Sequence, residues 1–492
     1  MLILTRIKRK FYQDSLKLMR VSAEIKDLPG VTQAFAFMAT ENNKKTRIQA
    51  SLMSEEVKST GADDLVIIVE CENESVGQSA LDEFEKRIVS SASKTSGENG
   101  AKALPTTFEQ GKADVDANIA VISVPGPYAA VQTMNALSQG LNVMLFSDNV
   151  SVEDEVMIKD FAAEKDLLVM GPDCGTAIIG GVPLCFANVV KSGNIGVIGA
   201  SGTGTQEFTV LLDAAGCGIT HAIGTGGRDL SEAVGGRTTL AALKLLIADE
   251  NSKILAIVSK PPSAEVADKV LEAVKASGKP AVLAFLGADS AKITDNIFVT
   301  GTIEEAAAKA AALCKGTNPE TALVIHERKT TLYTAWDKFK PSQKMVKGLF
   351  TGGTLASEAK ILLGALDADI IDLGDDEYTS GALHPMIDPS NRSNPIMEAF
   401  TDENVAIVLC DVVLGYGSHP DPAGELVKDI NAAREKSNAH KIVIVVVVGT
   451  EADPQVKSHQ IKILEDAGII VLPSNQYAAE VAANFARKLG GQ

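Results

Sequence analysis

The feature that most constrains the fold is a recurring series of short, unbroken apolar runs rich in valine and isoleucine. They include DLVIIVE (64–70), IAVISVP (119–125), NVMLFSD (142–148), DLLVMG (166–171), NIGVIGA (194–200), KILAIVS (253–259), AVLAFLG (281–287), DIIDLG (369–374), VAIVLCD (405–411), KIVIVVVVG (441–449) and GIIVLPS (468–474). Continuous apolarity, without polar alternation, is what a strand buried on both faces of a parallel sheet requires. Helix-length amphipathic stretches separate the runs, so neighbouring runs and their connecting helices make βαβ units. The chain is therefore predicted to be α/β, with several doubly wound parallel-sheet domains.

A chain of 492 residues has room for about three or four such domains. Polar, Ser/Lys/Gly-rich residues 90–118, the turn region 180–194 and the charged segment 327–343 suggest boundaries. They give a small α/β domain with a polar linker at its end (1–115), then 116–190, 191–335 and 336–492. Within the first, the pattern predicts a helix over 15–28, a strand over 31–39, a polar helix and a strand over 64–70. The longest apolar run, 441–449, is far shorter than the ~20 residues that span a bilayer. The first residues, MLILTRIKRK, turn basic too early for a secretory signal. Six cysteines without a CxxC read as reduced thiols, neither a disulfide frame nor a metal site. A cytoplasmic location is expected, with no membrane partner. The net charge of −17 would be repelled by a phosphate backbone, so no nucleic-acid partner is expected.

Two segments of the last two blocks read as copies. GVIGASGTGTQEFTVLLDAAG (196–216) parallels GLFTGGTLASEAKILLGALDA (348–368), each a strand, a Gly/Ser/Thr turn and a helix. Gly202 and Gly353 are 151 residues apart, and so are the strand-end residues Lys260 and Asp411. Each turn frees backbone N–H groups at a helix N-terminus, an arrangement suited to phosphate. The phosphate-binding candidates are Ser201, Gly202, Thr203, Gly204, Thr205, Gly352, Gly353 and Thr354. Neither turn is a P-loop, because no GK[ST] follows; a capped βα turn is the alternative reading. Two helix N-termini supply roughly +1 of charge. A phosphate carries about −1.5 to −2, and Lys260 is the candidate for the remainder.

The last block adds two polar strand-end loops, 372–392 and 411–422, which supply His384, Asp388, Arg392, Asp411, Tyr416 and His419. Asp411, His384 and His419 are catalytic candidates beside Lys260. Asp388, Arg392 and Tyr416 are substrate-binding candidates, as are Asp173 and Cys174 of GPDCG. Cys174 and Cys185 nevertheless read as small core fillers before nucleophiles, Trp336 reads as packing, and no metal-ligand spacing is present.

Residues 124–180, 192–208 and 217–230 resemble the α chain of succinyl-CoA synthetase and other NDP-forming acyl-CoA synthetases, and residues 345–490 resemble the ligase domain of that enzyme's β chain. KFYQDSLKLMRVS (10–22), GDDEYTSGALHPMIDP (374–389) and DVVLGYGSHPDP (411–422) resemble the FdrA family specifically. The resemblance implies a Rossmann-like CoA-binding-type domain followed by two flavodoxin-like ligase-type domains. It also implies a subunit of an oxamate carbamoyltransferase of anaerobic allantoin breakdown. That system interconverts oxalurate plus phosphate with oxamate plus carbamoyl phosphate, with two related partner subunits; a homo-oligomer is compatible with it. Coenzyme A is the one cofactor the resemblance offers. The synthetases pass phosphate through a histidine after the strand matching AVLAFLGADS, but this chain has no histidine between His221 and His326. Lys260 stands where those enzymes keep a glutamate. The alternatives are a working acyl-CoA synthetase and a non-catalytic scaffold.

Overall fold

The valine- and isoleucine-rich runs form strands, central and edge alike, of the computed structural model, which describes residues 2–11, 13, 15–26, 28–40, 57, 59–61, 63–93, 105–324, 326, 338–379, 383–437 and 440–491. Two compact units divide at Thr106/Thr107. In the first, strands β1 (Leu2–Lys8), β2 (Val31–Met38) and β3 (Leu65–Cys71) form an antiparallel sheet in the order β1-β3-β2. The unbroken apolar run of β3 is central and wholly buried over Leu65–Val69. Helices α1 (Ser15–Lys26) and α2 (Glu74–Ser93) bring Leu18, Val21, Ile25, Phe84 and Ile88 into the core of this unit. The polar helix expected before residue 64 lies largely outside the described residues, as does Trp336.

The second unit begins with α3 (Phe108–Asp114), β4 (Ile119–Ile122), α4 (Gly126–Ser138), β5 (Asn142–Leu145), α5 (Val152–Glu164) and β6 (Val169–Met170), a small parallel sheet in the order β4-β5-β6. An eight-stranded sheet follows. It comprises β7 (Thr176–Ile179), β8 (Val182–Cys185), β9 (Ser192–Ala200), α6 (Gly202–Ala214), β10 (Ile219–Gly224), α7 (Arg237–Ala248), β11 (Ile254–Ser259), α8 (Ala264–Ser277), β12 (Ala281–Phe285), β13 (Ala291–Thr294), β14 (Ile297–Thr300) and α9 (Ile303–Lys315). The hairpin β7–β8 pairs antiparallel with β10, so this sheet runs across residue 190.

The last sheet comprises β15 (Met345–Phe350), α10 (Gly353–Leu363), β16 (Ala368–Asp372), α11 (Asp376–Thr379), α12 (Ser393–Thr401), β17 (Val405–Val413), α13 (Pro422–Lys436), β18 (Ile442–Val448), α14 (Lys457–Asp466), β19 (Ile470–Leu472) and α15 (Asn475–Leu489). Its order, β16-β15-β17-β18-β19, is parallel throughout and is the 2-1-3-4-5 order of flavodoxin-like sheets. The parallel strands of the preceding sheet run β14-β12-β11-β9-β10, the same order. The two lobes thus share both strand order and the 151-residue offset. In each, the first and third strands meet at the switch point where open α/β sheets place their ligands.

The lobes pack through helices α6, α9, α10 and α15, whose apolar faces join one continuous core with Phe208, Leu211, Ala306, Leu355, Ala359 and Ala478. Buried glutamates lie within it, among them Glu207 and Glu358, again 151 residues apart. Glu207 Oε1 accepts the Asn475 N–H at 2.7 Å, capping α15 of the other lobe. Glu358 Oε1 accepts the Ile303 N–H at 2.8 Å, capping α9 of the other lobe. The exchange satisfies helix-end donors that burial would otherwise leave orphaned. Burial pushes both carboxyls up, Glu358 to about 7. Neither sequence motif nor charge pattern marks these residues; the shared offset does.

Candidate functional site

At the switch point of the first lobe, β9 runs into a turn capped by Ser201, whose Oγ accepts the Gly204 N–H at 2.9 Å. Such a cap is worth about 1 kcal/mol. The same Oγ donates to Thr354 Oγ1 of the second lobe at 2.6 Å. A methyl group on Gly352 would lie 2.5 Å from Thr203 Oγ1 and 2.7 Å from its Cβ, and one on Gly204 would lie 2.7 Å from Thr354 Cγ2. The N-termini of α6 and α10 therefore abut, brought together by glycines at positions where a side chain would hold them apart. Thr205 lies deeper: it is buried and its hydroxyl donates to Ser201 O at 2.5 Å.

The equivalent strand ends carry opposite charges with different roles. Asp411 is fully buried, accepting from Thr351 N at 2.8 Å, Thr351 Oγ1 at 3.0 Å and Gly352 N at 3.0 Å. Arg392 closes over it, donating to Asp411 Oδ1 at 2.9 Å and to its carbonyl at 2.9 Å. Burial raises the Asp411 carboxyl while Arg392 and the amide donors oppose the rise. Both residues are consumed in holding the α10 turn. Asp411, a catalytic candidate, is wholly buried and Arg392, a substrate-binding candidate, nearly so. Lys260, by contrast, is exposed at the end of β11.

Asp372, the last residue of β16, is half-buried. A methyl on Gly353 would lie 2.2 Å from Asp372 Oδ2 and 3.4 Å from Lys260 Nζ. A methyl on Gly374 would lie 2.7 Å from His384 Nε2 and 3.2 Å from Asp372 Oδ1. One carboxylate oxygen thus faces the Lys260 side, while the other accepts the Gly374 N–H at 2.9 Å beside His384. Burial raises the Asp372 carboxyl, with Lys260 opposing and Asp411 and Asp375 adding to the rise. His384 Nδ1 accepts the Met386 N–H at 3.2 Å, so the neutral ring carries its proton on Nε2. Burial holds this imidazole neutral, lowering it to about 4 despite Asp148. Phe186 packs against it, tilted by 42° with ring centroids 5.5 Å apart.

His419 adjoins this group through its N–H, which donates to Met386 O at 2.7 Å. Asp388 is exposed and caps the short turn Pro389–Arg392. Tyr416 is exposed, its amide bonded to Ala187 O at 2.8 Å. His419 is half-buried, with Nδ1 accepting from Asp421 N at 3.1 Å. Asp173 is exposed. Cys174, a substrate-binding candidate, is buried, its thiol points at Thr176 O, and burial raises it far above a reactive range. Asp372 was missed by the sequence reading. Its signal was a carboxylate closing a strand two residues before the glycine of DLGDD.

Comparison with known proteins identifies the family. A CoA-ligase family model matches residues 349–485, a CoA-binding-domain model residues 190–287, and a model named AllF, heavy metal-associated domain, residues 1–105. That last span does not fit a soft metal. It contains no histidine and one cysteine, Cys71, which is buried and hydrogen-bonded to Leu2 O and Asn73 O. Among the described residues no cluster of three metal-ligating side chains occurs, and no helix is long and apolar enough to cross a membrane. The α subunit of an ADP-forming succinate–CoA ligase from Staphylococcus aureus is 27% identical over 42% of this chain and 70% of its own. A dinucleotide-forming acetyl-coenzyme A synthetase of Ca. Korarchaeum cryptofilum aligns over 80% of this chain and 89% of its own, at 14% identity and a TM-score of 0.35. The uncharacterized protein YahF of Escherichia coli is 39% identical over 97% of this chain and 98% of its own. With CoA-binding and CoA-ligase segments in one polypeptide and a full-length relative, the chain belongs to the FdrA-like family of fused succinyl-CoA synthetase-like proteins.

Proposed function

We propose that this chain is the phosphate-handling subunit of an oxamate carbamoyltransferase, working with two related partner subunits to convert oxalurate and phosphate into oxamate and carbamoyl phosphate. The observation that carries the reading is the meeting of two helix N-termini beside an exposed Lys260, in a chain without a histidine between His221 and His326. Arg392 neutralises Asp411, so the two helix ends and Lys260 remain to face the charges of a phosphate dianion and of Asp372. The Nε2–H of His384 is suited to polarising a carbonyl oxygen, because a neutral imidazole donates without giving up its proton. Lys260→Ala is expected to weaken phosphate and carbamoyl phosphate binding by about 1.5–3 kcal/mol, roughly 10- to 150-fold. The unfolding midpoint should move little, since the side chain is exposed. Calorimetric titration against Lys428→Ala as control measures this; unchanged affinity would reduce Lys260 to a solvated turn residue.

The match of the CoA-binding model to residues 190–287 favours a second reading, an acyl-CoA synthetase acting with a nucleotide-binding partner. It requires a phosphoryl carrier other than a histidine after β12.

A further inference from the structure

We propose that Asp372 is the proton relay of this site: it takes the hydroxyl proton of bound phosphate and passes it to the nitrogen that leaves. The proposal rests on the carbamoyltransferase reading and adds a catalytic residue to it. Its basis is placement. The half-buried carboxylate lies between the two other functional side chains, with Oδ2 against the start of α10 on the Lys260 side. Its Oδ1 is fixed by the Gly374 N–H on the His384 side. Lys260, Asp375, Asp411 and His384 are the titratable groups around it, and Asp411 is already bound by Arg392 and the α10 turn.

A carboxylate beside a phosphate site is otherwise a liability, since it repels the dianion. It becomes favourable if it accepts a hydrogen bond from the ligand, and hydrogenphosphate has one proton to offer. In the forward step the phosphate oxygen attacks the ureido carbonyl carbon and a C–O bond forms. The hydroxyl proton passes to Asp372 Oδ2. The bond from that carbon to the oxamate nitrogen then breaks, and Asp372 returns the proton to the nitrogen as it departs. Hydrogenphosphate and oxalurate become carbamoyl phosphate and oxamate with no change in total charge. No oxidant, reductant or metal is needed.

The same geometry demands selectivity between two anions of like shape and charge. Sulfate at neutral pH has no proton, so it meets the Asp372 carboxylate with repulsion alone. The full-length chain is titrated with inorganic phosphate and with sulfate by calorimetry, as wild type and as Asp372→Asn. Asparagine retains an oxygen to accept the Gly374 N–H, so the turn survives, and sulfate binding by the variant itself reports a folded site. The wild type should prefer phosphate by about 10- to 150-fold, the effect of one charge-assisted hydrogen bond. Asp372→Asn should bind the two anions within about threefold of each other, chiefly by gaining affinity for sulfate. In the reconstituted transferase its kcat should fall by about 10²- to 10⁴-fold, the range of general acid–base catalysis. If the wild type binds phosphate and Asp372→Asn keeps the same preference, the relay is wrong and the phosphate site stands. If the wild type binds neither anion, the underlying site reading fails and takes the relay with it.

Discussion

Arg392→Ala is expected to destabilise the second unit by about 3–5 kcal/mol, the cost of leaving a buried carboxylate without its counter-ion. Asp411 has no exposed surface and, among the described residues, no other cation bonded to it. Loss of the guanidinium raises the Asp411 carboxyl further, because burial is already the dominant influence on it and Arg392 the main opposing one. The sign of the pH dependence follows. A carboxyl whose folded pKa is raised binds more protons in the native state than in the unfolded chain, so stability falls as pH rises from the unfolded value through the folded one. The variant should therefore be weakest at neutral pH and recover toward pH 5. Urea unfolding at both pH values measures this. Arg392→Ala combined with Asp411→Asn should regain part of the loss, which would identify the unpaired charge as its cause. A variant as stable as wild type at neutral pH would mean that Asp411 is held by its amide donors alone.

Gly352→Ala should force the two lobes apart at the site. The new methyl would lie within 2.7 Å of three atoms of Thr203, including Cβ, so rotating one hydroxyl cannot relieve the contact. Overpacking of this kind costs about 1–3 kcal/mol. The larger effect should be functional: the Ser201–Thr354 hydrogen bond at 2.6 Å fixes the two helix ends relative to each other. A shift of about 1 Å there is expected to reduce phosphate affinity and transferase rate by about 100-fold. Phosphate titration together with thermal unfolding separates the two effects. Unaltered binding would show that the close approach of the helices is incidental to the ligand.

Much of this architecture is legible in the sequence because buried parallel strands announce themselves. Residues 405–411 and 441–449 have no polar face, and a helix or an edge strand of such composition would expose it. The duplicated lobes are legible through the offset shared by Gly202 with Gly353 and Lys260 with Asp411. The strands that escape include the edge strands β1, β8 and β13, with partly exposed faces, whose local pattern is weak because one side pairs with nothing. At the site, sequence locates the two turns and Lys260. It does not distinguish Asp411 from Asp372, since both close apolar strands ahead of a loop. Which one is buried depends on Arg392, 19 residues away in the chain, folding back over Asp411. His384 was legible as a candidate but not in its protonation, which the Met386 amide and the surrounding burial decide.

The most direct test of the carbamoyltransferase reading supplies the reconstituted chain and partners with oxalurate and radiolabelled phosphate, then follows the label. The account predicts label in carbamoyl phosphate, oxamate in equal amount and an unlabelled polypeptide. An acid-labile, base-stable phosphoryl group on this chain, formed with succinyl-CoA and phosphate in place of carbamoyl phosphate, would contradict it and make the protein a working acyl-CoA synthetase.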